Sequence, residues 1–324
     1  METRRQVLIS LGAFCCGHPA FAQAPKYPDR PLKMVVPFAA GGGTDIVARL
    51  IAQQAAMYLG QAVVVENRGG AGGSVGSDAV AKSAADGYTL LMATVSTHAI
   101  NPALYPKLPY DPIASFAPIS LVARVGGVVA VNAAIPARTL RDLVDGMRKE
   151  PTRYSFGSQG IGGIGHLMGE MFNTLAGTKA VHVPYKGAAP ALQDLIAGNI
   201  QILYDTVPAL LPHIQSGAIR ALAVTTPKRM AALPHVPTSA EAGFPAFLAS
   251  TWNAILAPTG TPSDAIETLN KVIVKAVHEP SVRARMAELS AEPVGSSAAE
   301  LLSFMRQELQ TWGPVVKASG ARAE

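Results

Sequence analysis

One pattern constrains this chain more than any other: a short β-branched run leads into a glycine-rich turn and then a helix, and it occurs twice. The first copy spans 34–50. Ala39-Ala40-Gly41-Gly42-Gly43 separates a strand ending at Pro37 from a helix with Ile46, Val47, Leu50, Ile51 and Met57 on its apolar face. Thr44 or Asp45 is placed to cap that helix. The second copy spans 154–172 and carries Ser158-Gln159-Gly160-Ile161-Gly162-Gly163-Ile164-Gly165-His166. A turn that opens a helix leaves backbone N–H groups without partners, and the helix dipole adds partial positive charge. Glycine lets a ligand approach such a turn closely. Gly41 to Asp45 and Ser158 to His166 are therefore a matched pair of candidate anion seats, although each also serves as an ordinary tight turn.

The rest of the chain alternates in the same way. Strands are predicted at 33–37, 62–66, 88–93, 154–157, 181–184, 200–204, 218–225 and 251–257, with helices between them and three more near 263–278, 281–289 and 297–318. Such alternation builds βαβ units and an α/β fold, each sheet flanked by helices. A chain of 324 residues has room for two domains. Each glycine turn heads its own lobe. The apolar run 119–131, broken by Arg124-Val125-Gly126-Gly127, and the Trp252 strand near 248–257 read as two crossings between lobes. This predicts a discontinuous first lobe from 26–123 and 251–324, a second from 124–250, and a cleft between them of the kind that binds small ligands.

Composition narrows the function. The chain is 49% hydrophobic and 15% charged, against ~25% charged in an average soluble domain, which argues against disorder. The net charge of +5 is not gathered into a run, and no nucleic-acid module is visible, so nucleic acid is not an expected partner. Residues 1–22 carry Arg4 and Arg5, an apolar stretch from Val7 to Phe21 and the site Ala20-Phe21-Ala22. That is the pattern of a cleavable signal peptide, and it predicts a periplasmic protein. Thr3 to Leu8 also resembles a twin-arginine signal. A lipid anchor on Cys15 or Cys16 would need a small-residue box that Gly12-Ala13-Phe14 matches poorly. Both cysteines leave with the leader, so the mature chain is expected to have no disulfide, thiol nucleophile or thiolate metal site.

Catalytic motifs fail on context. Gly160-x-Gly162-x-x-Gly165 has the dinucleotide spacing but lacks the acidic residue about twenty positions on, where His182-Val183-Pro184-Tyr185 stands. Gly72-Gly73-Ser74-Val75-Gly76 has nucleophile-elbow spacing, yet Glu66 to Ala71 separate Ser74 from the strand end and Ser74 reads as a helix N-cap. An exported hydrolase using Ser74 is the remote alternative. The histidines at 98, 166, 182, 213, 235 and 278 form no H-x-H or H-E-x-x-H pair, so no metal and no cofactor are expected. His166, on the first turn of the second helix, either meets an anion or satisfies local backbone. Asp205, at a strand end, either accepts from a ligand amine or hydroxyl or caps the helix after Thr206. Thr94, Ser96 and Thr97 offer hydroxyls at another strand end, and Lys186 is either a cleft cation or a solvated one. No nucleophile–base–orienter set emerges. Binding without chemistry fits better.

At Val36-Pro37-Phe38-Ala39-Ala40-Gly41-Gly42-Gly43-Thr44-Asp45 the chain resembles the periplasmic solute-binding receptors of tripartite tricarboxylate transporters, the Bug-type receptors. The match continues through Val65 to Gly73, Ala85-Asp86-Gly87-Tyr88-Thr89-Leu90, Asn101-Pro102, Val183-Pro184-Tyr185-Lys186-Gly187, Gly217 to Ala223 and Leu256 to Pro262. The resemblance implies a two-lobe periplasmic binding protein of the Venus-flytrap kind (type 2) that closes on a small organic acid. It implies carboxylate binding largely through backbone N–H groups of the two loops. Carried across, that points to Phe38, Ala40, Gly42, Thr44 and Asp45 in the first loop. In the second lobe it points to Ser158, Gly162 and His166, with Thr94, Ser96 and Asp205 nearby. The family pattern often has Pro where this chain has Ala39-Ala40 and Gly69. The expected partners are a small carboxylate-bearing solute and membrane transporter subunits, or alternatively a membrane sensor kinase, with the receptor a monomer. The solute itself stays open among mono-, di- and tricarboxylates, amino acids and aromatic acids.

Overall fold

A computed structural model of the chain describes residues 27–319 and 321. The leader and its cysteines lie outside the described residues. In chain order the elements are β1 (Leu32–Val36), α1 (Gly43–Leu59), β2 (Val63–Asn67), α2 (Ser74–Ala81), β3 (Thr89–Thr94), α3 (Asn101–Leu104), β4 (Phe116–Asn132), α4 (Leu140–Lys149), β5 (Ser155–Ser158) and α5 (Ile164–Ala176). They continue with β6 (Val181–Pro184), α6 (Ala188–Ala197), β7 (Ile202–Thr206), α7 (Val207–Gln215), β8 (Ile219–Val224), β9 (Ser250–Pro258), α8 (Ser263–His278), α9 (Pro280–Glu288), β10 (Ala291–Pro293) and α10 (Ala298–Ser319). The fold is α/β with two lobes, and one curled sheet runs through both in the order β2-β1-β3-β9-β4-β7-β5-β6.

β4 explains how one sheet serves two lobes. Its 17 residues reach about 55 Å at ~3.3 Å each. Residues 116–126 pair antiparallel with β9, and 127–131 pair with β7 while 128–132 pair with β8. The expected break at Arg124 to Gly127 is instead an unbroken strand, with the glycines at the handover. A Cβ on Gly126 would stand 2.6 Å from Thr226 and 2.7 Å from Met230, and one on Gly127 would stand 2.6 Å from Thr225 and 2.8 Å from Met168. The strand passes because it carries no side chains there. The chain returns to the first lobe just before β9, where Ala249 N–H donates to the Thr225 carbonyl.

In the first lobe, Met34, Val36, Leu90 and Met92 of the parallel strands are buried against Val47, Ile51 and Ala55 of α1 and Leu269 and Ile273 of α8. Each fully buried large aliphatic side chain contributes roughly 1.5–3 kcal/mol. The buried face of α1 is richer in alanine than the pattern of large residues suggests, and Met57 is 72% exposed rather than part of it. Small residues let α1 pack closely on its neighbours. The helix ends where Gly60 turns left-handed at φ 67° and its N–H closes onto Ala56. Its start corrects another expectation: neither Thr44 nor Asp45 caps it. Gly42 is the N-cap, without a side-chain bond, and helix begins at Gly43. In the second lobe Phe156, Phe172, Tyr204 and Phe247 pack together. α10 returns to the strands through Glu308, whose Oε2 accepts from the indoles of Trp252 at 2.8 Å and Trp312 at 3.0 Å.

Candidate ligand-binding site

The first glycine turn is held from behind by Asp45. Its carboxylate, 3% exposed, accepts from Gly41 N–H, Arg49 Nε and Asn67 Nδ2, each at 2.9 Å. Asn67 also donates to the Phe38 carbonyl at 3.0 Å. Burial alone would raise the Asp45 pKa, but the bonds from Arg49, Gly41 and Asn67 outweigh it and hold the carboxyl below its ordinary value. Asp45 is thus a brace for the loop, with its oxygens committed. Ala40 is exposed on the outer side of the same loop. Among the described residues, the N–H groups of Gly42, Gly43 and Thr44 have no partner within the chain, as expected for the first turn of a helix.

The second glycine loop is wired differently. Gly160 N–H donates to Ser158 Oγ at 3.1 Å, Gly162 N–H to His166 Nδ1 at 3.3 Å, Gly163 N–H to the Gly160 carbonyl at 2.9 Å and Gly165 N–H to Gln159 Oε1 at 3.0 Å. Ser158 Oγ also stands 2.7 Å from His182 Nε2, and the His166 and His182 rings stack with centroids 4.1 Å apart. Burial lowers the pKa of His166 to about 4 and, with the charge of His166 beside it, that of His182 to about 3. Ser158, Gly162 and His166 therefore build the loop from within, and their polar atoms turn toward one another.

Where the two glycine loops face each other, the lobes meet over a small cavity. The first lobe contributes Phe38, Gly42, Gly43 and Thr44 from the first loop, Thr94 and Ser96 beyond β3, and Thr251 from β9. The second contributes Gln159, Ile164, Ala188, Asp205 and Thr206. The space is about 20 Å³, room for little more than one water. The lobes also touch directly: Tyr105 hydroxyl donates to the Ile161 carbonyl at 2.8 Å, and a Cβ on Gly43 would fall 2.2 Å from Thr206 Oγ1. This is a closed arrangement.

Two buried side-chain oxygens on the lining have no partner: Asp205 Oδ2 and Thr94 Oγ1. The other Asp205 oxygen accepts from Thr206 N–H at 2.6 Å and Thr206 Oγ1 at 3.2 Å. Desolvation pushes the Asp205 pKa up to about 6, against smaller lowering by Thr206 and Gln159. Among the described residues, no lysine or arginine lines the cavity. Lys186 is exposed, and His98, although fully buried, lies in an aromatic cluster with Tyr110 and Phe116. Thr97 accepts and donates within its own turn. Ser74 is the first residue of α2 rather than its N-cap, which is Gly73. Its Oγ accepts from Asn101 Nδ2 at 3.0 Å, and among the described residues no histidine or carboxylate bonds it.

The profile described as "Tripartite tricarboxylate transporter family receptor" matches residues 47–321. The chain belongs to that receptor family. It is 39% identical over 321 residues to "Protein BugT" of Bordetella pertussis (strain Tohama I / ATCC BAA-589 / NCTC 13251), covering 99% of this chain and 98% of that protein. Among solved structures it resembles "Structure of periplasmic binding protein BugD", with TM-score 0.89, 36% identity and coverage of 92% of this chain and 100% of the other. It also resembles "MatC (Rpa3494) from Rhodopseudomonas palustris with bound malate", with TM-score 0.86, 32% identity and coverage of 90% and 100%. The Bug-type resemblance drawn from the loop motifs is thereby the chain's own family, whose members are solute-binding receptors and not enzymes.

Of the residues singled out in the sequence, Phe38, Gly42, Thr44, Thr94, Ser96 and Asp205 line the cavity together, while Ala40, Asp45, Ser158, Gly162 and His166 stand behind it. Gln159, Ile164, Ala188, Thr206 and Thr251 join the lining without having been singled out. Gln159 and Thr206 sit beside residues that were. Nothing local marks Thr251, whose place depends on the pairing of β9 with β4.

Proposed function

We propose that this receptor works in the periplasm, captures a small carboxylate-bearing solute between its lobes, and presents it in the closed form to the membrane subunits of a tripartite transporter. The observation that carries the reading is a cavity where the two glycine loops face each other, lined from both lobes, with the N–H groups of Gly42, Gly43 and Thr44, unpartnered among the described residues, on one side. Backbone donors at a helix start hold a carboxylate through charge-assisted bonds without a full countercharge. Relatives described with malate and with adipate support the solute class. In this reading the site consists of Phe38, Gly42, Thr44, Thr94, Ser96 and Asp205, and Ala40, Asp45, Ser158, Gly162 and His166 shape the loops around it. The lobes divide as 26–123 with 251–324 against 124–250, hinged at the β4 handover. The lobes as they stand leave room for little more than one water, so the solute enters a more open form and the lobes close around it; binding then shifts the population toward that ligand-bound closed form, where both lobes reach the solute.

The test is a thermal-shift panel of organic acids on the ligand-stripped protein. A solute at 100 times its Kd adds about 2.7 kcal/mol, which raises the melting temperature by a few degrees. A carboxylate that gives this shift and is recovered unchanged is the expected result. A panel of carboxylates that leaves the melting temperature where it was would overturn the proposal.

A further inference from the structure

The cavity has two poles of opposite hydrogen-bonding character. At one, the backbone N–H groups of Gly42, Gly43 and Thr44 are donors with no partner among the described residues. At the other, Asp205 presents an acceptor: it is 1% exposed, and its Oδ2 faces the lining with no partner. Thr94, 2% exposed and also unpartnered, supplies a hydroxyl that either donates or accepts. A buried polar oxygen left without a hydrogen bond is destabilising, and a buried carboxylate more so. The Gln159 side chain stands near enough to lower the Asp205 pKa, but no donor of the described residues reaches Oδ2 within hydrogen-bond distance, so this oxygen is an acceptor that a ligand donor can complete.

A simple carboxylate has no donor to give. Succinate or propionate would satisfy the glycine loop and leave Asp205 Oδ2 facing either hydrocarbon or another negative oxygen. Among the described residues the lining holds one acidic side chain and no lysine or arginine, so a second carboxylate of a fully ionised polycarboxylate adds like charge beside Asp205 with no cationic side chain to offset it. A zwitterion adds none. We infer that the solute is a small amino or hydroxy acid, its carboxylate on the Gly42–Thr44 donors and its ammonium or hydroxyl group donating to Asp205, with the ammonium preferred. This rests on the reading of the cleft as a carboxylate site and names the solute class within it. The upward displacement of the Asp205 pKa to about 6 reports the same unmet need, because the ion is short of partners where it sits. The groups around it are uncharged: Thr206 on its own element, Gln159 from the second loop and Val128 across from it on β4.

The test uses matched acids that differ only in the group beside the carboxylate: propionate, lactate and alanine; succinate, malate and aspartate; glutarate, 2-hydroxyglutarate and glutamate. Affinities are measured by calorimetry on the ligand-stripped protein and on Asp205→Asn and Thr94→Val, with circular dichroism to check that the variants fold. In the skeleton that fits, the ammonium or hydroxyl member is expected to bind about ten to a hundred times more tightly than the unsubstituted acid, the range of one charged hydrogen bond. Asp205→Asn is expected to shrink that preference to within a few-fold. If acids bind but the unsubstituted member is as tight as the others in wild-type protein, this inference fails and the carboxylate reading stands. A preference that survives Asp205→Asn also overturns the role of Asp205. If none of the nine acids binds, both readings fall together.

Discussion

Replacing Asp205 with Asn in the ligand-free protein probes the site without knowing the solute. The carboxyl is 1% exposed, and only one of its oxygens is bonded. Burial moves its pKa from 3.8 to about 6 in the folded state, and a displacement of that size corresponds to about 3 kcal/mol once the group is ionised. Below the unfolded pKa the carboxyl is neutral in both states, and the folded protein carries no penalty. As pH rises through about 6, the folded form must hold a poorly solvated ion, so that stability is lost between the two values and stays lost above them. Asn keeps the acceptor for Thr206 and never ionises. Urea unfolding of the two stripped proteins, at about pH 4 and again at about pH 7.5, should therefore show their difference moving by about 2.5 kcal/mol in favour of Asn as the pH goes up, the remainder of the penalty already being present at pH 4. Using the difference removes every other titrating group common to both. A gap between the variants that is the same at both pH values would mean that Asp205 is well solvated or paired, and the argument for an unmet acceptor would go with it.

Three further outcomes follow from the same geometry. Gly43→Ala leaves an excellent helix former at the start of α1 but puts a methyl 2.2 Å from Thr206 Oγ1. The closed form then carries about 1–3 kcal/mol of overpacking, and solute affinity by calorimetry should fall roughly five- to a hundredfold at unchanged melting temperature of the free protein; unaltered affinity would show that closure does not bring these residues together. Asp45→Ala strands the Gly41 N–H, the Asn67 amide and Arg49, and thermal melts should register a loss of about 3 kcal/mol, with a fall under about 0.5 kcal/mol marking the brace as dispensable. Burial keeps His166 and His182 neutral, at about 4 and about 3 against 6.5, so their contribution is present above the unfolded value and is lost as pH falls toward those folded values. His182→Gln should make the acid decline in melting temperature shallower below about pH 6, and an identical decline in both proteins would count against this.

Gly162→Val, an obvious variant from sequence, is not a clean probe of binding. Gly162 has φ +82°, and a Cβ there would lie 2.2 Å from Asn101 Oδ1, so the loop itself would be forced to change. Gly42 has φ −78° with only Ala188 and Ala39 nearby at 3.5 and 3.6 Å. The two glycines look equivalent in the sequence and are held by different constraints, one by its backbone angle and its neighbour, the other by the need to leave a donor uncovered.

Much of the architecture was written locally. Alternation of β-branched runs with amphipathic stretches, punctuated by glycine, prescribes α/β units because the periods of strand and helix differ. The doubled strand–glycine turn–helix unit announced two lobes, and the run of motifs from Val36 to Pro262 carried the family. What local pattern leaves open is direction. Asp45 and Gly42 are three residues apart in one loop, yet one is consumed by Arg49 and Asn67 while the other faces the cavity, and Asn67 arrives from β2 only through the pairing of β1 with β2. His166 looked equally suited to an anion and to local backbone, and the N–H of Gly162 occupies its Nδ1. Thr251 reaches the lining through strand register, and Thr206 meets Gly43 only because the lobes close. Local pattern set the elements, the repeated strand–turn–helix unit of the two lobes and the supply of backbone donors. Tertiary structure alone decided which donors remain free and which acceptor, Asp205 Oδ2, waits opposite them, since partners in long-range hydrogen bonds come from segments distant in the chain and no period of 2 or 3.6 residues records them.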